Sequence, residues 1–326
     1  LVAVDENPAA SADDPEFIKT HIWEKLEVPF ISDLRTGGLS ANGELVVAGL
    51  GGDIRITAES ITDWYEVNSK PLYRTIPAET ESGPDSYALR HIRAMSGSLM
   101  SAVFVGLSDG SIYKYSMLDK EWSVGEETGT FVDDENSYGN INDMWMSSAG
   151  DLYVAADVLY SWDQNSPMLI AADPGLDNFR ILSIYGAGDD DIYLVGEESF
   201  YDDEISDEQQ FKGRIFHFDA VSLSEEDSNL ENDDPVWNDV HGDGDGKVYA
   251  VGSDGTVLMK NTGDDNEWHE FALQLTHDGL NAVWGDNGTV FVAGEKGLFA
   301  RLTAGSRGRE KISLGTSATL GKIYGY

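Results

Sequence analysis

Short apolar runs alternate with clusters of turn-forming residues along the chain, and one such run returns at intervals from end to end. The clearest stretch is LNAVWGDNGTVFVAGEKGLFARL at 280–302. It holds a six-residue element, a Gly/Asp turn, a β-rich run ending in glycine, a second turn and another short strand. Residues 237–260, WNDVHGDGDGKVYAVGSDGTVLMK, repeat that order. β-Branched and aromatic runs broken by Asp-Asn-Gly or Ser-Asp-Gly are the signature of successive hairpins. No helical period competes with them.

The first element recurs as ISDLRT (31–36), LRHIRA (89–94), INDMWM (141–146), ILSIYG (181–186), WNDVHG (237–242), LNAVWG (280–285) and LGKIYG (320–325). Each copy is apolar at its first and fourth positions. On a regular strand those positions face opposite ways, so the pattern predicts a strand packed on both faces. The second element recurs as ELVVAG, AVFVG, DLYVA, DIYLVG, KVYAVG and TVFVAG, and a third follows closely each time. Trp64, Trp122 and Trp268 mark a fourth, outer strand.

Repeats of this length, each made of four short strands, predict an all-β fold, a β-propeller of four-stranded blades. Seven blade positions are expected, the last incomplete. It would hold only the copy at 320–326, with His21–Val28 (HIWEKLEV) as a candidate outer strand that spares the sheet an exposed edge. Six blades with two extra terminal strands is the alternative. Residues 1–20 read as an acidic tail and 21–326 as one propeller domain.

Charge narrows the choice of partner. The chain has 59 acidic residues against 21 basic ones, a formal net charge of −38. Nucleic-acid binding needs a basic footprint that displaces counterions, and anionic membranes would be repelled for the same reason. Cations, basic proteins and neutral glycans remain, and solubility alone is the plainer explanation of the charge. The absence of cysteine removes disulfides, thiolate metal sites and a Cys nucleophile. No segment approaches the ~18 apolar residues of a membrane span. Residues 1–4 (LVAV) are too short for a signal-peptide core, which suggests a mature, exported chain of the cell envelope or exterior.

The phrases LNAVWG…VFVAGEKG and VYAVGSDGTV resemble the repeats of bacterial exported propellers, the broad group similar to YVTN, BNR-type and photosystem II assembly-factor-like propellers. The resemblance implies a scaffold whose members mostly bind proteins, glycans or cofactors. It implies no single activity. The sialidase-type Asp box is not matched by Ser253-Asp254-Gly255-Thr256.

The repeat frame places long insertions at 67–88, 123–140, 164–180, 197–212 and 220–236, all on one face. Insertions that a fold does not need are where binding residues concentrate. Those singled out for partner binding are Tyr73, Tyr87, Phe131, Asp133, Asp134, Tyr138, Phe200, Tyr201, Asp202 and Asp203. Solvated loops without a role are the competing reading.

Third positions of the first element supply Asp33, Asp143 and Asp239, a candidate Ca²⁺ set if the strands converge. Acids that accept hydrogen bonds from neighbouring backbone or ordered water are the plainer explanation, since no contiguous calcium loop accompanies them. The run GDGDG at 242–246 lacks the spacing of an EF-hand loop and reads as a tight turn. Ala12-Asp13-Asp14-Pro15 resembles one short motif of β-propeller phytases, whose second motif is not matched.

No nucleophile–base pair or transition-metal motif stands out. The sequence therefore favours a non-catalytic scaffold that engages a protein or glycan, as a surface module or a part of a virion-like assembly. A calcium-dependent hydrolase of phosphate esters or glycans is the alternative.

Overall fold

In a computed structural model, the structure describes residues 2–4, 22–24, 34–39, 45–49, 54–57, 64–67, 74–76, 86–88, 92–96, 102–108, 110–122, 129–130, 141–162, 169–176, 178–202, 206–230, 235–262, 267–272, 275–303 and 309–324. Strands β1 (Val2–Val4) and β2 (Ile22–Glu24) pair with each other. The first blade is β3 (Leu34–Leu39), β4 (Leu45–Gly49), β5 (Ile54–Thr57) and β6 (Trp64–Glu66), followed by a separate pair, β7 (Arg74–Ile76) and β8 (Ser86–Ala88).

The second blade is β9 (Ile92–Ser96), β10 (Ala102–Leu107), β11 (Ser111–Ser116) and β12 (Glu121–Trp122), with β13 (Gly129–Thr130) also on β11. The third is β14 (Asp143–Met146), β15 (Leu152–Ala155), β16 (Leu159–Trp162) and β17 (Leu169–Ala172). The fourth is β18 (Phe179–Gly188), β19 (Asp191–Asp202), β20 (Ser206–Phe218) and β21 (Leu223–Glu226). The fifth is β22 (Trp237–Gly242), β23 (Lys247–Gly252), β24 (Val257–Asn261) and β25 (Trp268–Ala272). The sixth is β26 (Leu280–Asp286), β27 (Thr289–Gly294), β28 (Phe299–Thr303) and β29 (Arg309–Lys311).

Six blades therefore replace the seven positions expected. The seventh copy, 320–325, forms no strand in its described residues, 320–324. It still sits as a first strand would: Asn281 Nδ2 donates to the Leu320 carbonyl at 3.2 Å, as Asn238 Nδ2 donates to Leu280 at 2.7 Å. Among the described residues no neighbouring strand completes its ladder, so its side chains are placed without a blade. The expected outer strand at 21–28 pairs instead with β1. Two expected insertions, 164–180 and 220–236, contain the outer strands β17 and β21.

The chain divides into two compact units, one of Leu1–Glu27, Asp157–Leu159 and Ala171–Ile323, the other of Val28–Ala156, Tyr160–Ile170 and Tyr324–Tyr326. In the first unit Trp237, Val240, Val248 and Ala250 of the fifth blade bury against Tyr193, Val195 and Ile215 of the fourth. Tyr249, Val251 and Val257 on its other face bury against Leu280, Val283, Val290 and Val292 of the sixth. In the second unit Val46, Ala48, Ile54 and Ile56 pack on Met95, Val103 and Val105. There the opposite face of the second blade, with Phe104 and Ile112, packs on Ile141, Met144 and Val154.

Ile141 and Met144, Trp237 and Val240, and Leu280 and Val283 thus share a face, contrary to the expectation of opposite faces. A bulge explains this. The register shifts between Ile181 and Ser183, Trp237 and Asp239, and Leu280 and Ala282. One extra residue at the second position turns the fourth back to the side of the first. The second face is supplied by alternation along the second strands.

The same bulge corrects the frame of the first two copies. It falls between Leu34 and Thr36 in β3, and Ile92 and Ala94 are the equivalent pair in β9. The true elements are LRTGGL and IRAMSG, three residues beyond ISDLRT and LRHIRA. Thr36, not Asp33, occupies the third position of the first blade.

Candidate functional site

Second and third strands of the fourth blade outgrow their neighbours. Strand β18 pairs with β19 only as far as Phe179–Glu198, and β21 pairs with β20 only from Ile215 to Phe218. Beyond those points β19 and β20 continue together through Ser199–Phe211, Phe200–Gln210 and Tyr201–Gln209. The expected insertion at 197–212 is therefore a strand-paired hairpin projecting from a blade.

Its surface is unusual for a chain this polar. Tyr201 is 68% exposed, Phe211 51% and Phe200 39%. Pairing puts Tyr201 and Phe211 diagonally on one face, where aromatic side chains reach each other's neighbourhood, and Phe200 on the other. Its base is clamped by charge: Arg214 pairs with Glu198 and, at 2.7 Å, with Glu225, while Arg180 pairs with Glu197. These contacts engage Arg180 and Arg214, while Lys212 stands opposite Glu198 on the stem.

Of the residues expected to bind a partner, Phe200 and Tyr201 stand on this hairpin, and Asp202 ends its first strand. Tyr87 lies in β8. Tyr73, Phe131, Asp133, Asp134, Tyr138 and Asp203 lie outside the described residues. Phe211 was missed, although an aromatic in the return half of the insertion was visible in the sequence.

Of the three expected metal ligands, Asp143 and Asp239 are among the described residues. Asp33 lies outside the described residues. Asp143 Oδ1 accepts the Met144 N–H at 3.0 Å. Asp239 is buried and accepts three donors: Ser183 Oγ at 2.7 Å, the Val283 N–H at 2.9 Å and Lys322 Nζ at 2.8 Å. The Ser183 hydroxyl of β18, a backbone N–H of β26 and the ammonium of Lys322 in the C-terminal copy thus converge on one carboxylate of β22. Among the described residues no group of three or more His, Asp or Glu is arranged to hold a metal ion.

The GDGDG run is the tight turn expected. Asp243 Oδ1 accepts the N–H groups of Asp245 and Lys247 at 2.9 and 3.1 Å, and Oδ2 accepts the Tyr249 hydroxyl at 3.1 Å. Gly244 and Gly246 take positive φ, 76° and 83°, which glycine adopts without a Cβ penalty.

Beside this turn lies a second feature that the sequence reading missed. Fifth positions of the copies ILSIYG, WNDVHG and LNAVWG, on β18, β22 and β26, are Tyr185, His241 and Trp284, all half-buried. Ring centroids are 4.7 Å apart from Tyr185 to His241 and 6.4 Å from His241 to Trp284. Tyr185 lies over Gly242, where a Cβ would fall 2.5 Å from its ring. Burial, and then the nearby carboxylates of Asp243 and Asp191, raise the Tyr185 phenol above its usual pKa. The column of aromatics was visible in INDMWM, ILSIYG, WNDVHG, LNAVWG and LGKIYG, but its meaning depended on register.

No family model matches the chain, and no curated protein matches it in sequence. Solved structures do match in fold. The WD40 β-propeller domain of Doa1 superimposes with a TM-score of 0.62 at 13% identity, covering 90% of this chain and 87% of that one. YCF48 bound to D1 peptide gives 0.62 at 10% identity, covering 90% and 85%. The β-propeller domain of Cps50 (Swd1) from Myceliophteria thermophila gives 0.62 at 10% identity, covering 91% and 92%. The likeness shows the propeller fold, and at these identities the fold alone. It leaves the narrower bacterial repeat group, and a bacterial source, as resemblances carried by sequence.

Proposed function

We propose that this chain is a non-catalytic propeller scaffold that binds a basic protein or peptide through the projecting hairpin of its fourth blade. The observation that carries the reading is the exposure of Phe200, Tyr201 and Phe211 on a rigid two-stranded stem. Aromatic side chains cover much area at little entropic cost and are enriched where binding energy concentrates. Paired strands hold them in place before a partner arrives, which lowers the cost of association.

Charge complementarity supports the class of partner. The net charge is −38, and several cations are already buried within sheets, namely Arg55, Lys260 and Arg301. A basic partner would be drawn in by long-range attraction and oriented by it. The structural neighbour YCF48 was solved with a D1 peptide, so a propeller of this general form can hold a peptide.

The test is a triple variant, Phe200→Ser, Tyr201→Ser and Phe211→Ser, compared with the unaltered chain for binding to an array of basic, acidic and neutral peptides. Loss of about 1–2 kcal/mol at each of two central aromatics corresponds to at least a tenfold fall in affinity. Melting temperature should not change, because the three side chains are solvent-facing. Binding that survives the triple change, or turnover of a phosphate ester or glycan, would overturn the reading.

A further inference from the structure

The ladder of Tyr185, His241 and Trp284 lies away from the hairpin, where β18, β22 and β26 run into the turns that lead to their partner strands. Three properties mark it as more than packing. The rings come from three successive blades and form one run, tilted by 40° and 45° between neighbours. Each ring keeps part of its surface open. The run is also seated on glycine backbone: Gly242 lies beneath Tyr185, and a Cβ on Gly285 would press at 3.2 Å on Asp243 and the Gly242 carbonyl. A side chain at Gly242 would displace the Tyr185 ring.

His241 is fixed within the run. Its Nδ1 stands 2.6 Å from the Gly242 carbonyl oxygen, which accepts a hydrogen bond only when Nδ1 carries the proton. Trp284 continues the run inward to Phe291, at 6.0 Å.

The charge beside the rings is mainly negative, with Lys247 the cation next to the 243–246 turn. The connecting turns at 187–190, 243–246 and 287–288 contain Asp189, Asp190, Asp243 and Asp245 and no Lys or Arg. Asp190 and Asp245 are exposed, whereas Asp243 is buried beneath them with Lys247 Nζ 3.6 Å from its carboxylate. The Tyr185 phenol is raised first by burial and then by the carboxylates of Asp243 and Asp191. An anion is disfavoured here, and a cation gains twice, from the carboxylates and from the ring faces.

We propose that the Tyr185–His241–Trp284 ladder is a docking platform for an arginine side chain of a peptide or protein partner, separate from the hairpin site. Guanidinium is planar, weakly hydrated and always charged, so it stacks on aromatic planes while its edge remains open to carboxylates. An ammonium lacks the plane and holds its water more tightly. A neutral sugar would use the rings but not the acidic turns.

The probe is an acetylated, amidated hexapeptide of alternating Arg and Gly, with citrulline and lysine twins, titrated calorimetrically against the full chain at two salt concentrations. We expect the arginine peptide to bind at least fivefold tighter than the citrulline twin and measurably tighter than the lysine twin. Trp284→Leu should lower its affinity at least fivefold. Asp190→Asn with Asp245→Asn, both at exposed positions, should lower it about threefold without disturbing the fold. The hairpin triple variant should bind the peptide as the unaltered chain does. The platform is overturned if the citrulline twin binds equally, if Trp284→Leu binds as before, or if the paired Asn changes have no effect. It is also overturned if affinity falls with the hairpin triple instead, an outcome that would leave the hairpin reading standing.

Discussion

Lys322 Nζ lies 2.8 Å from Asp239 Oδ1, an ion pair between residues 83 positions apart in sequence. The first strand between them, β26, carries only Ala282 at the matching position, small enough to leave the path open. Asp239 is the shared acceptor of Ser183, the Val283 N–H and this ammonium. Lys322→Met should therefore leave a buried carboxylate short of one donor, at a cost of about 1–3 kcal/mol. Adding Asp239→Asn should cost less than the sum of the single changes, because the two side chains act on each other. Urea unfolding of the two singles and the double variant measures this, and strict additivity would refute it.

A second ion pair is buried more deeply. Lys260 has no exposed side-chain surface, pairs with Glu226 and lies 5.3 Å from the centre of the Tyr193 ring. Glu226 also accepts the Trp268 Nε1–H at 2.7 Å. Lys260→Met should cost about 3–5 kcal/mol, since it strands a carboxylate among aromatics. Lys260→Met with Glu226→Gln should recover much of that loss, as Gln still accepts from Trp268. A melting temperature of the double variant no higher than that of Lys260→Met would count against the account.

Two glycines should respond differently to a methyl group. At Gly196 a Cβ would fall 2.1 Å from the Arg180 carbonyl oxygen, so backbone must move. At Gly242 it would fall 2.5 Å from the Tyr185 ring, which can tilt at a cost of about 1–3 kcal/mol. Gly196→Ala should be the more destabilising of the two in thermal melts. Gly242→Ala should also shift the Tyr185 and His241 ring resonances in an NMR spectrum.

Stability should hold through mild alkali and then fall. The phenols of Tyr185, Tyr193 and Tyr249 are all raised above the ordinary value of 10.0, in each case first by burial and then by nearby carboxylates, Asp243 for Tyr185 and Tyr249 and Asp191 for Tyr193. Below that value both folded and unfolded chains keep these protons, and the groups add no pH dependence. Above it the unfolded chain releases them first, so unfolding gains with each further step in pH. Denaturation midpoints should be level up to about pH 10 and decline beyond it. Phenolate absorbance from these three groups should appear together with unfolding. A midpoint still level at pH 11.5 would contradict the prediction.

The blade repeat was legible because aliphatic residues recur at fixed places in WNDVHG and LNAVWG and a glycine closes the following strand. The bulge was not legible. The extra residue is Leu182, Asn238 or Asn281, and nothing in those side chains announces a doubled position. Frame was ambiguous for a related reason. Leu89, Ile92 and Met95 repeat every third residue, so LRHIRA and IRAMSG fit one template equally well. The outer strand LSEE at 223–226 has no tryptophan and is largely exposed, which made it look like an insertion. LGKIYG has the side chains of a first strand, but a strand is defined by hydrogen bonds to a neighbour, and among the described residues none pairs with it. Phe200 and Tyr201 were found as aromatics in an insertion. Their rigid presentation depends on pairing with residues that sequence does not align. The ladder needed three strands in correct register before its rings could be seen as adjacent.

The projecting hairpin separates two jobs that most loops combine. Register is held near its base by Tyr193 against His217 and Val195 against Ile215, well inside the blade, while among the described residues Phe200, Tyr201, Gln209 and Phe211 of the outer rungs are exposed. If the hairpin binds a partner as proposed, substitutions at its outer rungs change what is recognised while the blade keeps its own packing. On that reading recognition is free to drift quickly between relatives whose cores stay alike, and a new specificity can be grafted by replacing the outer rungs alone.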